Sequence, residues 1–218
     1  VIAVCITTQG RRFELNRLLN SPAFWNPVLD FGARVRVLMQ GGVFSLDDRD
    51  HNITVMACDL CSEAEARQRQ VEQVIRNGLR PDDTLVFLDD DLQVIEPGWL
   101  GSLMAALTPG IAVSGAEGRI VTPDFYTRAS DQLPGPVDYV GGGWCAVRGH
   151  VFLSGVQFDT RYDGTYWVDV DLCYQITQRR LGAIWGCGEI GLVHESASTT
   201  DQHGWQEINR RVFREKWG

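Results

Sequence analysis

The fold this sequence predicts is α/β, with a mainly parallel, doubly wound sheet, and three observations predict it. The runs "VIAVCITT" (1–8) and "DTLVFLD" (83–89) are apolar, rich in β-branched residues and without a polar face, as strands covered on both sides require. Helix-type segments alternate with such runs, each with a recognisable start or stop. Three consecutive aspartates, Asp89, Asp90 and Asp91, stand just where the second run ends. Ligands of such sheets bind beyond the carboxyl ends of the strands, and a cluster of like charges is tolerable at a site but costly in a core.

In chain order, residues 1–8 lack the basic leader of a secretion signal and read as the first strand. "GRRFELNRLL" follows as a helix, and 33–40 and 52–58 as strands. The clearest helix is "SEAEARQRQVEQVIRNG" (62–78), which Ser62 can cap and Gly78 can end. After the strand at 83–89, a helix over 97–108 begins at a proline, and 110–116 is another strand. Residues 118–140 scatter Pro, Asp and Tyr, which predicts loops with short strands. A helix is predicted over 167–182, ending at Gly182, and one or two strands over 183–196. The last segment, 203–218, reads as a basic amphipathic helix with Trp205, Ile208, Val212 and Phe213 on or near one face. No repeat, low-complexity tract or linker interrupts the chain, so 1–218 is expected to be one domain.

Composition narrows the function. Of 218 residues, 44% are hydrophobic and 22% charged, ordinary values for a soluble globular protein. The net charge of −8, without a lysine or arginine tract, argues against a nucleic-acid partner. No stretch of about 18 apolar residues is present to span a membrane. The basic residues Arg210, Arg211, Arg214 and Lys216 suggest contact with anionic lipid, but a solvated helix face is the preferred reading. Six cysteines lie mostly in apolar runs, which fits a reducing cytoplasm. "CDLC" (58–61) has the spacing of a metal or redox pair but no second pair, so structural cysteines are the preferred reading.

Several groups carry chemistry. Asp89 and Asp91, at i and i+2 on extended backbone, point the same way and can share a hard divalent cation; a solvated acidic turn is the alternative. Asp169 and Asp171 in "VDVDLC" stand at a helix start, where the dipole favours anions, so capping competes with a general base. His194 in "GLVHES" is a ligand, a proton carrier or merely a hydrogen-bonded histidine. Gly142, Gly143 and Trp144 in "VGGGW" offer close backbone approach and a flat face for a sugar or base, or a tight turn beside a core tryptophan. There is no GxGxxG, no GxxxxGK[ST] and no GxSxG.

Taken in order, "VFLDDDLQVIEPGWL", "VDYVGGGWCAVRGHVF", "YWVDVDLCYQITQRRLG", "LVHESAS" and "NRRVFREKW" resemble the GT-A glycosyltransferases, specifically the family 2-like bacterial rhamnosyl- and sugar transferases. The resemblance spans nearly the whole chain. It implies a GT-A fold with a nucleotide-binding half (about 1–117) and an acceptor and catalytic half (about 118–218). It implies a DxD motif at Asp89–Asp91, with Asp89 facing the ribose, Asp91 binding Mn²⁺ or Mg²⁺, and His194 completing the metal site. Asp169 matches the family's catalytic base. Thr7, Thr8, Gln40, Arg67, Asp90, Gly142, Gly143 and Trp144 match positions around the nucleotide and donor sugar. Val168 stands where the family has glutamate, Gln40 where an acid usually reads the nucleobase, and Gln68 where asparagine usually follows Arg67. The implied reaction is inverting transfer of a sugar from a UDP-, GDP- or dTDP-sugar to an acceptor hydroxyl. The loop at 118–135 and the tail beyond Ser196 are expected to close over the donor. A non-catalytic nucleotide-sugar-binding protein and a nucleotidyltransferase are the rival readings.

Overall fold

The computed structural model describes residues 1–42, 53–164, 166–194 and 204–218. The first part of the chain opens with β1 (Ile2–Thr8), α1 (Arg12–Leu19), α2 (Pro22–Asp30), β2 (Arg34–Gln40), β3 (Ile53–Cys58) and α3 (Glu63–Arg76). It continues through β4 (Thr84–Asp89), β5 (Leu92–Val94), α4 (Trp99–Ala106) and β6 (Ile111–Gly115). Then come the short strands β7 (Gly118–Val121), β8 (Thr127–Ala129), β9 (Gly135–Pro136) and β10 (Tyr139–Val140), followed by β11 (Trp144–Arg148) and α5 (Gly149–Leu153). The chain closes with α6 (Val168–Gln178), β12 (Ala183–Gly186), β13 (Leu192–His194) and α7 (Trp205–Trp217).

Eight strands form the central sheet in the order β3-β2-β1-β4-β11-β6-β12-β9. Of these, β11 and β9 run against the other six, so the sheet is mixed but mainly parallel. Both halves of the chain contribute strands to it. The two-residue alternation of the central strands explains their lack of a polar face. Ala3, Cys5, Leu85 and Phe87 enter one core layer, with α3, α5, α6 and Phe213 of α7. The residues that alternate with them, Ile2, Val4, Ile6, Val86 and Leu88, enter the other layer, with α1, α2 and α4.

Local signals act largely as expected. Ser62 Oγ accepts from the Glu65 N–H at 3.2 Å, and Gly78 takes φ +87 just past the end of α3. The helix α6 stops at Gln178, four residues before Gly182, because Arg180 already turns to φ +56. A helix without a clear periodic signal, α2, has Pro22 in its first turn and Pro27 inside it. The expected strand start at residue 52 and the expected strand and helix residues 195, 196 and 203 lie outside the described residues. No helix among the described residues is long and apolar enough to cross a membrane.

The last helix departs from its expected face. Phe213 is fully buried, but so is Asn209, while Ile208 is 43% exposed. Asn209 seats the helix by donating to the carbonyls of Asp163 and Tyr166, the latter at 2.8 Å. Two of its four basic residues are engaged by neighbours, while Arg211 and Arg214 stay exposed. Lys216 Nζ pairs with Asp159 and Asp171 at 2.8 and 2.9 Å, and the Arg210 guanidinium lies 4.2 Å from the Tyr126 ring centre. A basic face for lipid loses these two members.

Candidate active site

Chain pairing, rather than sequence proximity, assembles the site. Strand β4 ends at Asp89, and the chain turns through Asp90 and Asp91 into β5. Strand β13 pairs antiparallel with β5, with His194 opposite Leu92. That register brings His194 Nε2 to 2.9 Å from Asp91 Oδ1 and 3.8 Å from Asp89 Oδ2. Ligand atoms of Asp89, Asp91 and His194 lie within 4.8 Å of one another, the set of two carboxylates and an imidazole that can hold a divalent cation. The convergence comes from a turn plus a distant strand, and not from extended backbone alone.

Strand β11 approaches from the other side of β4, and the Asp89 N–H donates to the Gly143 carbonyl at 2.9 Å. The glycines are required by space. A Cβ at Gly143 would fall inside the Asp89 carboxylate, 2.5 Å from Cγ. One at Gly142 would lie 3.2 Å from Arg67 Cζ and 3.3 Å from Asp169 Cβ. Arg67, 3% exposed, ties these pieces together. It donates to Asp89 Oδ1 at 2.9 Å and to the Gly142 carbonyl, and pairs with Glu63 at 2.5 Å. It stands behind the cavity wall and positions the residues that form it.

The helix-start position alone did not separate Asp169 from Asp171, and the resemblance pointed to Asp169. Asp171 is 1% exposed and saturated: Tyr162 Oη, Gln175 Nε2, Lys216 Nζ and Trp217 Nε1 all donate to it. Asp169 instead lines the cavity, accepting from the Val170 N–H at 2.8 Å and the Gly142 N–H at 3.2 Å. Burial pushes its carboxyl above the ordinary value, against those two N–H groups and the Arg67 charge. Trp167, just before it, holds φ +71 and is kept there by packing, 5.0 Å from the Phe213 ring. Val168 belongs to the hydrophobic core and does not line the cavity.

A cavity of about 890 Å³ collects these groups. Thr7, Gln40, Gly142, Gly143, Trp144, Asp89, Asp91, Asp169 and His194 all line it; Thr8, Arg67 and Asp90 do not. Thr8 and Asp90 are buried, the hydroxyl lying beside the carboxylate. Burial pushes Asp90 up to about 6, against Thr8 and Arg11. Gln40 is held by Cys61, whose N–H donates to Oε1 at 3.1 Å, and the buried Nε2 has no hydrogen-bond partner among the described residues. The hydrogen bond to Asp91 raises His194 above its ordinary value, against burial.

Several lining residues were not anticipated. Arg11 bridges Asp90 and Asp91 at 2.7 and 2.6 Å and offsets part of the cluster's negative charge. Its signal was present as "GRR" directly after the first strand, charge-complementary to three aspartates. Arg119 and Thr127, from the strands β7 and β8, line the cavity, as do Tyr166 of the loop before α6 and Trp205 and Gln206 of α7. The tail at 195–203 lies outside the described residues.

No protein-family model matches the chain, and no curated protein does. Solved structures match it with low identity. GalNAc-T7 with UDP, GalNAc and Mn²⁺ superposes with a TM-score of 0.61 at 12% identity, covering 86% of this chain and 42% of its own. The Pyrobaculum calidifontis mannosyltransferase PcManGT with GDP-Man and Mn²⁺ gives 0.67 at 10% identity, covering 100% of this chain and 64% of its own. Glucosyl-3-phosphoglycerate synthase from Mycobacterium tuberculosis, with Mn²⁺, UDP-glucose and phosphoglyceric acid, gives 0.67 at 15%, covering 99% and 79%. The chain thus spans less than two thirds of the first two proteins. The fold is that of the GT-A glycosyltransferases.

Proposed function

We propose that the chain is a metal-dependent glycosyltransferase that moves a sugar from a nucleotide diphosphate sugar to an acceptor hydroxyl, with inversion at the anomeric carbon. The observation that carries this reading is that the Asp89–Asp91–His194 cluster and the buried carboxylate of Asp169 line one cavity. The fold neighbours support it, since their structures hold UDP, GDP-Man or UDP-glucose with Mn²⁺. Two carboxylates and an imidazole suit Mn²⁺ or Mg²⁺, the imidazole favouring Mn²⁺. Bound there, the cation supplies positive charge beside the diphosphate leaving group.

The chain's own residues do the rest. Asp169 accepts the proton of the acceptor hydroxyl as that oxygen attacks the anomeric carbon; the bond from that carbon to the diphosphate breaks, and a nucleoside diphosphate leaves. The raised carboxyl of Asp169 makes it a stronger base than an exposed aspartate. Arg67 fixes Asp89 and the Gly142 backbone so that both sides of the site keep their spacing. Trp144, Tyr166 and Trp205 give the cavity flat apolar faces against which sugar rings pack and from which water is displaced. The donor is a UDP-, GDP- or dTDP-sugar, and the acceptor is a saccharide or another hydroxyl compound. The free cysteines are compatible with a cytoplasmic setting.

The test is incubation with Mn²⁺ and UDP-, GDP- and dTDP-sugars plus saccharide acceptors, with release of nucleoside diphosphate as readout. Asp169→Asn is expected to bind nucleotide as the parent does and to transfer sugar about 10²–10⁴-fold more slowly, the contribution of a positioned base. Transfer by Asp169→Asn at the parental rate would refute the role of that residue. Nucleotide binding without any donor turnover would mark a binding protein, and pyrophosphate release from a nucleoside triphosphate would mark a nucleotidyltransferase.

A further inference from the structure

We propose that Cys58 and Cys61 are a thiol-oxidation site, closing reversibly to an intramolecular disulfide on the wall of the nucleotide cavity. Their sulfurs lie 3.9 Å apart. Both residues are half-buried, whereas Cys5, Cys145 and Cys173 are buried. Bond formation needs a sulfur separation of about 2 Å, so the two must approach by roughly as much again. The backbone between them can absorb that motion. Cys58 is the last residue of β3 and Cys61 directly precedes Ser62, the cap of α3. Asp59 and Leu60, between them, are exposed and belong to neither element. A metal role is not supported by any further ligand: among the described residues the one cluster able to hold an ion is Asp89, Asp91 and His194.

The oxidant is a small disulfide such as glutathione disulfide. Burial, and then the neighbouring Cys58, pushes the Cys61 thiol up to about 12. Either sulfur can attack first with the same balance; in one order that sulfur is Cys58. As its thiolate it displaces one glutathione thiolate and forms a mixed disulfide. Cys61 then loses its proton and attacks the Cys58 sulfur, expelling the second glutathione. Two protein thiols lose two electrons and two protons, and the oxidant becomes two thiols. Once Cys58 is capped, its contribution to holding Cys61 protonated is gone.

The link to the cavity runs through Gln40. The Cys61 N–H and Sγ both reach Gln40 Oε1, at 3.1 and 3.5 Å, and both residues line the cavity. A disulfide removes the S–H donor and pulls on the N–H donor, so Gln40 loses the contacts that orient its amide. This consequence rests on the nucleotide-binding reading of the cavity; the disulfide itself does not.

Equilibration of the full chain in glutathione buffers of increasing disulfide content, quenching with N-ethylmaleimide, and intact-mass and peptide analysis test the site directly. With the quench made in denaturant so that buried thiols react, two of the six cysteines are expected to escape alkylation, leaving the chain lighter than its fully alkylated form by two maleimide adducts and two hydrogens, both mapping to positions 58 and 61 and both recovered with dithiothreitol. Cys58→Ser and Cys61→Ser should each abolish that loss. Alkylation of all six at every ratio, or a lost pair that maps elsewhere, overturns the proposal. Calorimetry of UDP or GDP with Mn²⁺ should show several-fold weaker binding to the oxidised chain, and no such change in oxidant-treated Cys58→Ser. Equal affinity of the two forms would overturn the link to the cavity, and nucleotide binding by neither form would overturn the functional reading while leaving the disulfide result intact.

Discussion

Gly143→Ala isolates the geometry of the site with a single methyl group. The new Cβ would stand inside the Asp89 carboxylate, 2.5 Å from its Cγ. Asp89 cannot simply swing aside, because its Oδ1 accepts from Arg67 at 2.9 Å, and Arg67 is 3% exposed and tied also to Glu63. Forcing a methyl into a filled site costs about 1–3 kcal/mol. Losing a hydrogen bond to a charged partner adds about 1.5–3 kcal/mol. The sum, about 2.5–6 kcal/mol, corresponds to a melting temperature lower by about 5–24 °C for a chain of this length. Because the displaced carboxylate belongs to the metal cluster, Mn²⁺ affinity should fall about 10–100-fold, the usual result of disturbing a ligand's support. Thermal denaturation and Mn²⁺ titration read both effects. Gly98→Ala is the control: its φ is −80 and a Cβ there meets nothing within 4 Å, so it should stay within about 0.5 kcal/mol of the parent. A Gly143→Ala chain that melts and binds Mn²⁺ as the parent does would refute this packing argument.

Three further outcomes follow from the same structure. In its proposed role Asp169 serves as a base only when ionised, and burial raises its carboxyl, so kcat should rise with pH through a value above the ordinary aspartate range; a pH–rate profile flat across that region would contradict it. His194 is raised by Asp91, so a proton there stabilises the metal-free fold below the ordinary imidazole value, an advantage lost as pH rises through the raised one. Mn²⁺ must displace that proton, and calorimetry should show affinity falling as pH drops through the same region. Lys216→Met leaves Asp171 buried without its cation and should destabilise the fold by about 3 kcal/mol, at the lower end for a broken buried pair because Lys216 is 20% exposed; denaturant melts of this variant beside Lys216→Met/Asp171→Asn should show partial recovery in the double variant.

What could be read from the chain depended on whether the information was local. The strand ending in Asp89 was legible from its apolar run, and the cap at Ser62 from its residue type. His194 was ambiguous as a lone histidine, because its partner is supplied by the pairing of β13 with β5, which no local pattern announces. Asp169 and Asp171 looked equivalent as helix-start carboxylates, and only the resemblance singled out Asp169. Four donors from α6, α7 and the Tyr162 loop separate them, and those are tertiary facts. The resemblance brought Arg67 to the site but not to its place behind the wall, since a motif match gives no burial. The last helix shows the limit of amphipathic patterning: Asn209 is buried because two carbonyls wait for its amide, and Ile208 is exposed beside it. Strands of two residues, β9 and β10, carry no periodic signal at all.

Binding of Mn²⁺ in the presence of a nucleoside diphosphate, followed by electron paramagnetic resonance, tests the metal cluster most directly. One ion should bind per chain, more tightly with UDP or GDP present than alone, and both Asp91→Ala and His194→Ala should abolish or severely weaken it. Binding of the ion with equal strength in all three chains, or indifference of Mn²⁺ to the nucleotide, would contradict the assignment of residues 89, 91 and 194 to a shared cation.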